Sequence, residues 1–265
     1  MQFFGRFQDA RWDLSDRFVR SRIIRPSHFS FGDRERPFNS MVFDSMAGDF
    51  TRGLLGEVNR FLINVHQADS WVRAIRSCEE AKRPGLFWEF ADPLLELSVS
   101  RPYSLKNQFV FAAVHLIHQA NSRKQRNWKD DLPPDKQIDY KLLARIGAGW
   151  STFSRFVGAL EELNDEKFKR LTRNFRHLIQ HRFRLQFGEG LTTYFDRQQT
   201  ASGASYTYRA SRPLQVNNLI PKLYKQHQRA AEAFFAYWRL VKELSASWPA
   251  KEINRNASRT PSDQI

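Results

Sequence analysis

The residues of this chain whose types and spacing best suit chemistry lie in the run from Arg176 to His181, which reads Arg-His-Leu-Ile-Gln-His. A histidine titrates near neutral pH, so it can take a proton from a hydroxyl group or return one. An arginine presents a planar fork of donors, which suits it to hold a phosphate while negative charge develops there. His181 would act as the base or acid, Arg176 would hold the phosphate, and His177 would orient or assist.

One amphipathic helix is predicted to position these residues, and it continues through Leu171 to Phe187. Asn164 or Asp165 could cap its start, and Gly188 or Gly190 could end it. At 100° per residue, polar and apolar side chains separate onto opposite faces. The polar face consists of Arg173, Arg176, His177, Gln180, His181 and Arg184. The apolar face consists of Phe168, Leu171, Phe175, Leu178, Ile179 and Leu185.

The polar face is unusual because the chain holds no aspartate or glutamate from Lys167 to Gly188. Solvated helix faces usually mix charges, since like charges one turn apart repel each other. An anion would relieve the repulsion among Arg173, Arg176 and Arg184, and phosphate is the natural candidate. We therefore predict that Arg173, Gln180 and Arg184 bind RNA beside the site.

This pattern resembles the signature of HEPN domains (higher eukaryotes and prokaryotes nucleotide-binding), in which a polar residue follows the arginine directly and a histidine comes five residues after it. Many HEPN proteins are metal-independent ribonucleases built as all-α bundles with the motif on a late helix. The resemblance covers residues 104–248 well and the earlier part of the chain only loosely. It implies Arg176, His181 and His177 as catalytic residues, with no cofactor and no metal.

The resemblance also implies the biological setting. It predicts a homodimer with a composite cleft that cuts single-stranded or looped RNA. Through this resemblance the chain is similar to bacterial toxins and antiphage-defence effectors, which an antitoxin or another regulatory protein partner usually restrains. A second register of the motif starts at Arg173-Asn174, but His177 follows Arg173 by only four residues, so the Arg176 register fits better. The alternative function is a non-catalytic helical subunit that binds nucleic acid or a partner through the same basic face.

Composition narrows the classes of partner and compartment. The chain of 265 residues carries 42 Lys and Arg against 28 Asp and Glu, a formal net charge of +14. Such an excess favours a polyanion (RNA, DNA or a membrane surface), or an acidic protein partner in an oligomer. The single cysteine, Cys78, excludes an intramolecular disulfide and favours a reducing compartment. No apolar run is long enough to span a bilayer, so we expect a cytoplasmic protein without membrane contact.

Two further segments mix cations with aromatic side chains, a combination that can hold single-stranded RNA. In the charged loop 122–137, Arg123 and Arg126 are the candidate RNA-binding residues, beside Trp128. The second segment, 197–213, is predicted to be a loop with Arg197, Arg209 and Arg212 around Tyr206 and Tyr208. Either segment could equally be a solvated charged loop.

Two histidine pairs, His115 with His118 and His177 with His181, are candidate metal ligands. Each pair has ligands one helical turn apart, as zinc or iron would need. No acidic residue lies near either pair in the sequence, and arginines surround the second, so a metal is not predicted.

The whole chain is predicted to be an all-α helical bundle of about five long helices, with an irregular or partly β N-terminal arm. The arm covers residues 1–43, the helical HEPN-like domain 44–249, and a disordered tail 250–265. Within the domain, helices are predicted at 43–82, 86–97, 104–121, 138–163 and 214–248, besides the motif helix. Gly147 and Gly149 would weaken the fourth helix or let another helix pack closely. A tight turn at Asn164-Asp165 would make an antiparallel hairpin of the fourth helix and the motif helix.

Overall fold

The chain has an all-α fold, as predicted. The structure, a computed structural model, describes residues 22–25, 38–124, 127–175, 187–188, 192–200, 203–211 and 213–248. Among them, five α-helices reach eight residues or more. These are α1 (Phe38–Arg76), α3 (Asp92–Lys124), α4 (Tyr140–Gly147), α5 (Phe153–Glu162) and α7 (Val216–Ala246). Two shorter ones, α2 (Arg83–Leu86) and α6 (Glu166–Leu171), complete the described α-helices.

Helices α1 and α7 run antiparallel along their whole length. The Arg76 guanidinium at the end of α1 donates to Asn217 in the first turn of α7. At the opposite end, the rings of Phe43 and Trp248 have centroids 5.6 Å apart. Helices α3 and α5 pack on this antiparallel pair.

Helix α3 packs antiparallel to α1 on another side and completes the centre of the bundle. An ion pair joins Arg101 to Glu57, and the rings of Phe50 and Phe111 lie 5.8 Å apart. The core is apolar and aromatic. Its largest side chains with less than 2% exposure include Phe61, Phe109, Phe156, Phe175, Phe234 and Tyr237.

Helix α3 is longer than the sequence pattern indicates. The predicted pieces 86–97 and 104–121 belong to one helix from residue 92 onward, which follows α2 and a π-helical turn at Phe87–Ala91. Pro93 lies just after the π-helical turn and has no N–H to donate to the preceding turn, so the helical run lacks one backbone hydrogen bond there. Pro102 lies inside the helix and is buried, so packing against the core outweighs the lost backbone hydrogen bond.

The predicted helix 138–163 is two helices, and Gly147 explains the break. A Cβ on Gly147 would lie 2.1 Å from the ring of Phe153, so only glycine allows α5 to approach the end of α4. The turn between them is held by Glu243 of α7, which accepts hydrogen bonds from the backbone N–H groups of Ser151 (2.8 Å) and Thr152 (2.9 Å). Burial alone would raise the pKa of Glu243, but the hydrogen bonds from Thr152 and Ser151 outweigh it and lower the pKa to about 2.

A β-hairpin occupies the segment predicted to be a loop. Strands β1 (Thr192–Thr200) and β2 (Gly203–Ser211) pair antiparallel, with Arg197 opposite Tyr206. The loop prediction was therefore wrong, because the threonines and tyrosines that look like loop polarity favour strands. Tyr206 is 68% exposed, so this hairpin presents an aromatic ring and a cation at its surface.

Candidate functional site

The motif residues themselves lie outside the described part of the chain. This applies to the catalytic candidates Arg176, His181 and His177 and to the RNA-binding candidates Gln180, Arg184 and Arg126. What the structure describes is the chain on both sides of them, up to Phe175 and again from Phe187.

The helix that approaches the motif begins where predicted. Asp165 caps α6 by accepting a hydrogen bond from the Phe168 N–H at 3.0 Å. The predicted tight turn is present at the same place, since Asn164 has a φ of 55° there. The sequence therefore located the start of this element correctly.

The prediction of one unbroken helix through Leu171 to Phe187 was wrong. Helix α6 ends at Leu171, and both Arg173 (φ 52°) and Asn174 (φ 54°) take the left-handed conformation. The Arg173 N–H donates to the Arg170 carbonyl at 3.1 Å, and the Asn174 N–H to the Lys169 carbonyl at 2.8 Å. These two bonds form a Schellman C-cap, in which glycine usually takes the place that Arg173 occupies here. Arg173 therefore lies after the end of α6, in the turn that leads to the motif.

Two buried phenylalanines bracket the motif segment. Phe175 is 1% exposed and Phe187 is 3% exposed, and their ring centroids lie 5.2 Å apart. Phe187 also forms a β-bridge with Leu214, and the Gly188 N–H donates to the Leu214 carbonyl at 3.1 Å. The segment that holds Arg176 to His181 therefore starts and ends at one place in the core, beside the beginning of α7.

Helix α7 also fixes the turn before α6. Arg229 bridges Asp165 (3.0 Å) and Glu162 (2.8 Å). The Gln226 side chain accepts a hydrogen bond from the Asn164 N–H at 2.8 Å. Burial would raise the pKa of Asp165, but its hydrogen bonds with Arg229 and the Phe168 N–H outweigh this and lower it. The carboxylate is thus kept charged as a structural anchor next to a strongly basic segment.

The predicted loop 122–137 starts later than expected, because Arg123 and Lys124 belong to the last turn of α3, and the segment is held by aromatic and cation contacts. The Arg123 guanidinium lies 5.5 Å from the centroid of the Trp248 ring, and the Lys124 ammonium 3.5 Å from that of Trp150. The Trp128 indole donates to the carbonyl of His118 at 3.1 Å. These contacts give the segment a structural role, and of the two RNA-binding candidates predicted here only Arg123 is among the described residues.

The histidine pair on α3 has acidic neighbours that the sequence did not reveal. His118 is hydrogen-bonded to Asp130 at 2.9 Å, and His115 lies 3.7 Å from Asp135. The expectation that no acidic residue lies near this pair was therefore wrong, because Asp130 and Asp135 lie beside it in the folded chain. Burial lowers the pKa of His115 in spite of Asp135. Within the described residues, no group of three or more His, Cys, Asp or Glu side chains is arranged to hold a metal ion.

Helix α7 contributes a buried histidine that the sequence analysis did not single out. His227 is 2% exposed and packs edge-on to Phe61, with ring centroids 6.0 Å apart. Burial, assisted by the charge of Arg22, lowers the pKa of His227 to about 4. His227 is therefore neutral at physiological pH and belongs to the core.

No described helix combines the length and the apolar character needed to cross a lipid bilayer. Comparisons of the chain with protein-family models, with curated proteins and with solved structures give no match.

Proposed function

We propose that this protein is an HEPN-like, metal-independent endoribonuclease that cuts single-stranded or looped RNA. The observation that carries the proposal is the pair Arg176 and His181, five residues apart, in a stretch from Lys167 to Gly188 without an acidic residue. Cleavage of a phosphodiester by a 2′-hydroxyl needs both a proton acceptor and a cation. This stretch offers both, without a carboxylate that would repel the substrate.

The described neighbours support this assignment. The segment that carries the pair is bracketed by the contact between Phe175 and Phe187, and Arg173 leads into it from the cap of α6. A flexible loop would hold catalytic groups poorly, whereas a segment anchored in the core at both ends can position them. The cation of Arg173 adds to the attraction for phosphate.

The proposed reaction removes a proton from the attacking 2′-hydroxyl and delivers one to the leaving 5′-oxygen. His181 takes the proton from a ribose 2′-hydroxyl, and the 2′-oxygen attacks phosphorus as the bond to the 5′-oxygen breaks. Arg176 holds the phosphate oxygens while negative charge accumulates there. The leaving 5′-oxygen receives a proton from His177 or from the second His181 of a dimer. The products are a 2′,3′-cyclic phosphate and a 5′-hydroxyl, and this chemistry requires no metal.

The proposal includes an assembly and a setting. One chain supplies a sparse set of groups for phosphodiester cleavage, so two copies would form a shared groove across a two-fold axis. We place the homodimer in the cytoplasm, as a toxin or antiphage-defence effector that an antitoxin or another regulatory protein holds inactive. The net charge of +14 favours binding to RNA and predicts a steep loss of affinity with salt.

The decisive experiment is cleavage of mixed RNA by the purified protein in EDTA. The wild type is compared with the Arg176→Ala, His181→Ala double variant and with Arg170→Ala. Arg170→Ala is a matched control because this exposed arginine lies on α6 and its loss changes the charge of the same basic stretch. We expect cyclic-phosphate products from the wild type and from Arg170→Ala only. Equal cleavage by the double variant, or cleavage that needs added Mg²⁺, would overturn the proposal.

A second function, a non-catalytic subunit that binds nucleic acid or a protein partner, is favoured by one observation. Helix α6 ends at Leu171, so Arg173 does not continue the helical face on which the phosphate-binding surface was predicted. RNA binding without cleavage would support this function. In that case Arg173→Glu is compared with Arg123→Glu plus Arg126→Glu, and the variant that weakens binding more identifies the surface.

A further inference from the structure

A basic cavity of about 810 Å³ lies between the end of α1 and the first turns of α7. Among the described residues, four cations and one carboxylate border it, namely Arg22, Arg73, Arg76, Lys225 and Asp69. We propose that this cavity is a binding site for a terminal phosphate group, carried by a small molecule or by the end of a nucleic-acid strand. The proposal does not depend on the ribonuclease motif.

The cavity is built from two facing helix surfaces. On α1, the residues that line it recur every three or four positions, from Asp69 through Val72 and Arg73 to Arg76. The lining residues of α7 follow the same period and run from Asn217 to Gln228. Side chains three and four positions apart share one helix face, so both helices direct one continuous face toward this space.

Arg22 reaches the cavity from a distant part of the sequence, and the bundle holds it there. The Asn59 side chain on α1 accepts a hydrogen bond from the Ile24 N–H at 3.0 Å and donates one to the Ile24 carbonyl at 2.9 Å. Ile24 itself is buried, at 7% exposure. These two hydrogen bonds fix the backbone near Arg22, so the bundle holds this cation at the cavity.

Among the described lining residues, the cations outnumber the one carboxylate. Asp69 forms an ion pair with Arg73 at 3.3 Å, and no described carboxylate pairs with Arg76 or Lys225. A phosphate monoester carries nearly two negative charges at neutral pH, whereas an internal phosphodiester carries one. Convergence of several cations on one space therefore favours a terminal phosphate.

Two features prepare the cavity for such a ligand. The Arg76 guanidinium is oriented by its hydrogen bond to Asn217, so it is held in place before a ligand arrives. The first turn of α7 borders the same space, and its N-cap residue, Gln215, makes no side-chain capping hydrogen bond. The positive end of that helix adds to the attraction for an anion.

The size of the cavity and its apolar lining indicate room for more than the phosphate. A volume of about 810 Å³ is in the range of small-molecule sites, which span roughly 300–1,000 Å³. Val72, Ile220 and Pro221 supply apolar surface beside the cations, and Gln228 supplies an amide. A phosphorylated organic molecule would therefore find partners for both of its parts.

The test is equilibrium binding to the full chain, with three probes at fixed ionic strength. These are a nucleoside 5′-monophosphate, a short oligonucleotide with a 5′-phosphate, and the same oligonucleotide with a 5′-hydroxyl. The variant is Arg76→Gln plus Lys225→Gln, because both side chains are exposed. The control is Arg52→Gln plus Arg60→Gln, which removes two exposed cations from α1 outside the cavity. Thermal unfolding verifies that both proteins fold, and the single variants Arg76→Gln and Lys225→Gln serve if the double variant does not.

We expect saturable binding of the phosphorylated probes and at least roughly tenfold weaker binding by the cavity variant, since each lost contact is a charge-assisted hydrogen bond. The control should bind as the wild type does. Tighter binding of the monophosphate or of the 5′-phosphorylated strand identifies the source of the phosphate. Equal binding of the 5′-hydroxyl strand, equal losses in the cavity and control variants, or no saturable binding of either phosphorylated probe would overturn the proposal.

Discussion

Phe175 and Phe187 pack against each other with ring centroids 5.2 Å apart, one on each side of the segment that holds Arg176 to His181. Both rings are almost completely buried, so core packing fixes the two points between which the motif lies. This relationship makes the stability of the bundle and the placement of the motif depend on the same contact.

Phe187→Ala should therefore lower the free energy of unfolding by about 3–5 kcal/mol, since it leaves a cavity in the core. Under the proposed function it should also reduce RNA cleavage at temperatures where the variant is still folded. Phe235→Ala is the control, because that side chain is 47% exposed and its loss should cost less than about 1 kcal/mol. Chemical denaturation measures both, and similar costs for the two variants would contradict the packing seen here.

Arg173→Gly should separate the conformation of the cap from its charge. Arg173 has a φ of 52°, a region that glycine enters without steric cost. We expect the variant to gain about 0.5–1 kcal/mol in the free energy of unfolding, measured by urea denaturation. RNA affinity should fall at the same time because a cation is lost. A variant that is destabilised would show that the arginine side chain makes contacts worth more than the strain.

The pair Gly147→Ala and Gly149→Ala tests the close approach of α5 to α4. A Cβ at residue 147 would meet the Phe153 ring at 2.1 Å, whereas nothing lies within 4 Å of one at residue 149. We expect Gly147→Ala to cost about 1–3 kcal/mol through overpacking, and Gly149→Ala to leave stability nearly unchanged. Thermal unfolding of the two variants gives the comparison, and equal melting temperatures would rule out the contact.

His227 should make the stability of the protein depend on pH. Its pKa is about 4 in the folded chain, against roughly 6.5 for a histidine in an unfolded chain. Between these values the unfolded state binds more protons, so the free energy of unfolding falls as the pH falls from 6.5 toward 4. The loss attributable to His227 should reach up to about 3 kcal/mol.

His227→Leu removes this contribution and keeps a side chain of similar size. The difference in the free energy of unfolding between this variant and the wild type should shift in favour of the variant as the pH falls from 7 to 4.5. Urea denaturation across this range provides the measurement. Other titrating groups contribute equally to both proteins, so parallel curves would mean that His227 does not carry a depressed pKa.

The sequence predicted the long elements because their apolar residues recur at the helical period over many turns. Helix α7 begins and ends within two residues of the predicted positions, and Asp165 marks the start of α6. Helix α1 was predicted at 43–82 and instead spans Phe38–Arg76. The end of α6 at Leu171 was not predictable from local preference, since the left-handed position of its cap is occupied by Arg173 instead of glycine.

The candidate sites also differ in whether the sequence alone could reveal them. The motif from Arg176 to His181 is visible in sequence because its residues are neighbours along the chain. The basic cavity was missed because Arg22, Arg76 and Lys225 belong to three separate segments. Only the antiparallel pairing of α1 with α7, together with the hold of Asn59 on Ile24, brings those cations to one place.

The hydrogen bonds between Asn59 and Ile24 also determine which fragments of this protein can fold. A fragment that starts at residue 44, where the helical domain was predicted to begin, would lose the first turns of α1 and would leave the Asn59 amide without its backbone partners. The smallest fragment expected to unfold as one cooperative unit therefore includes residues 22–25, although most of the bundle lies far from them in sequence.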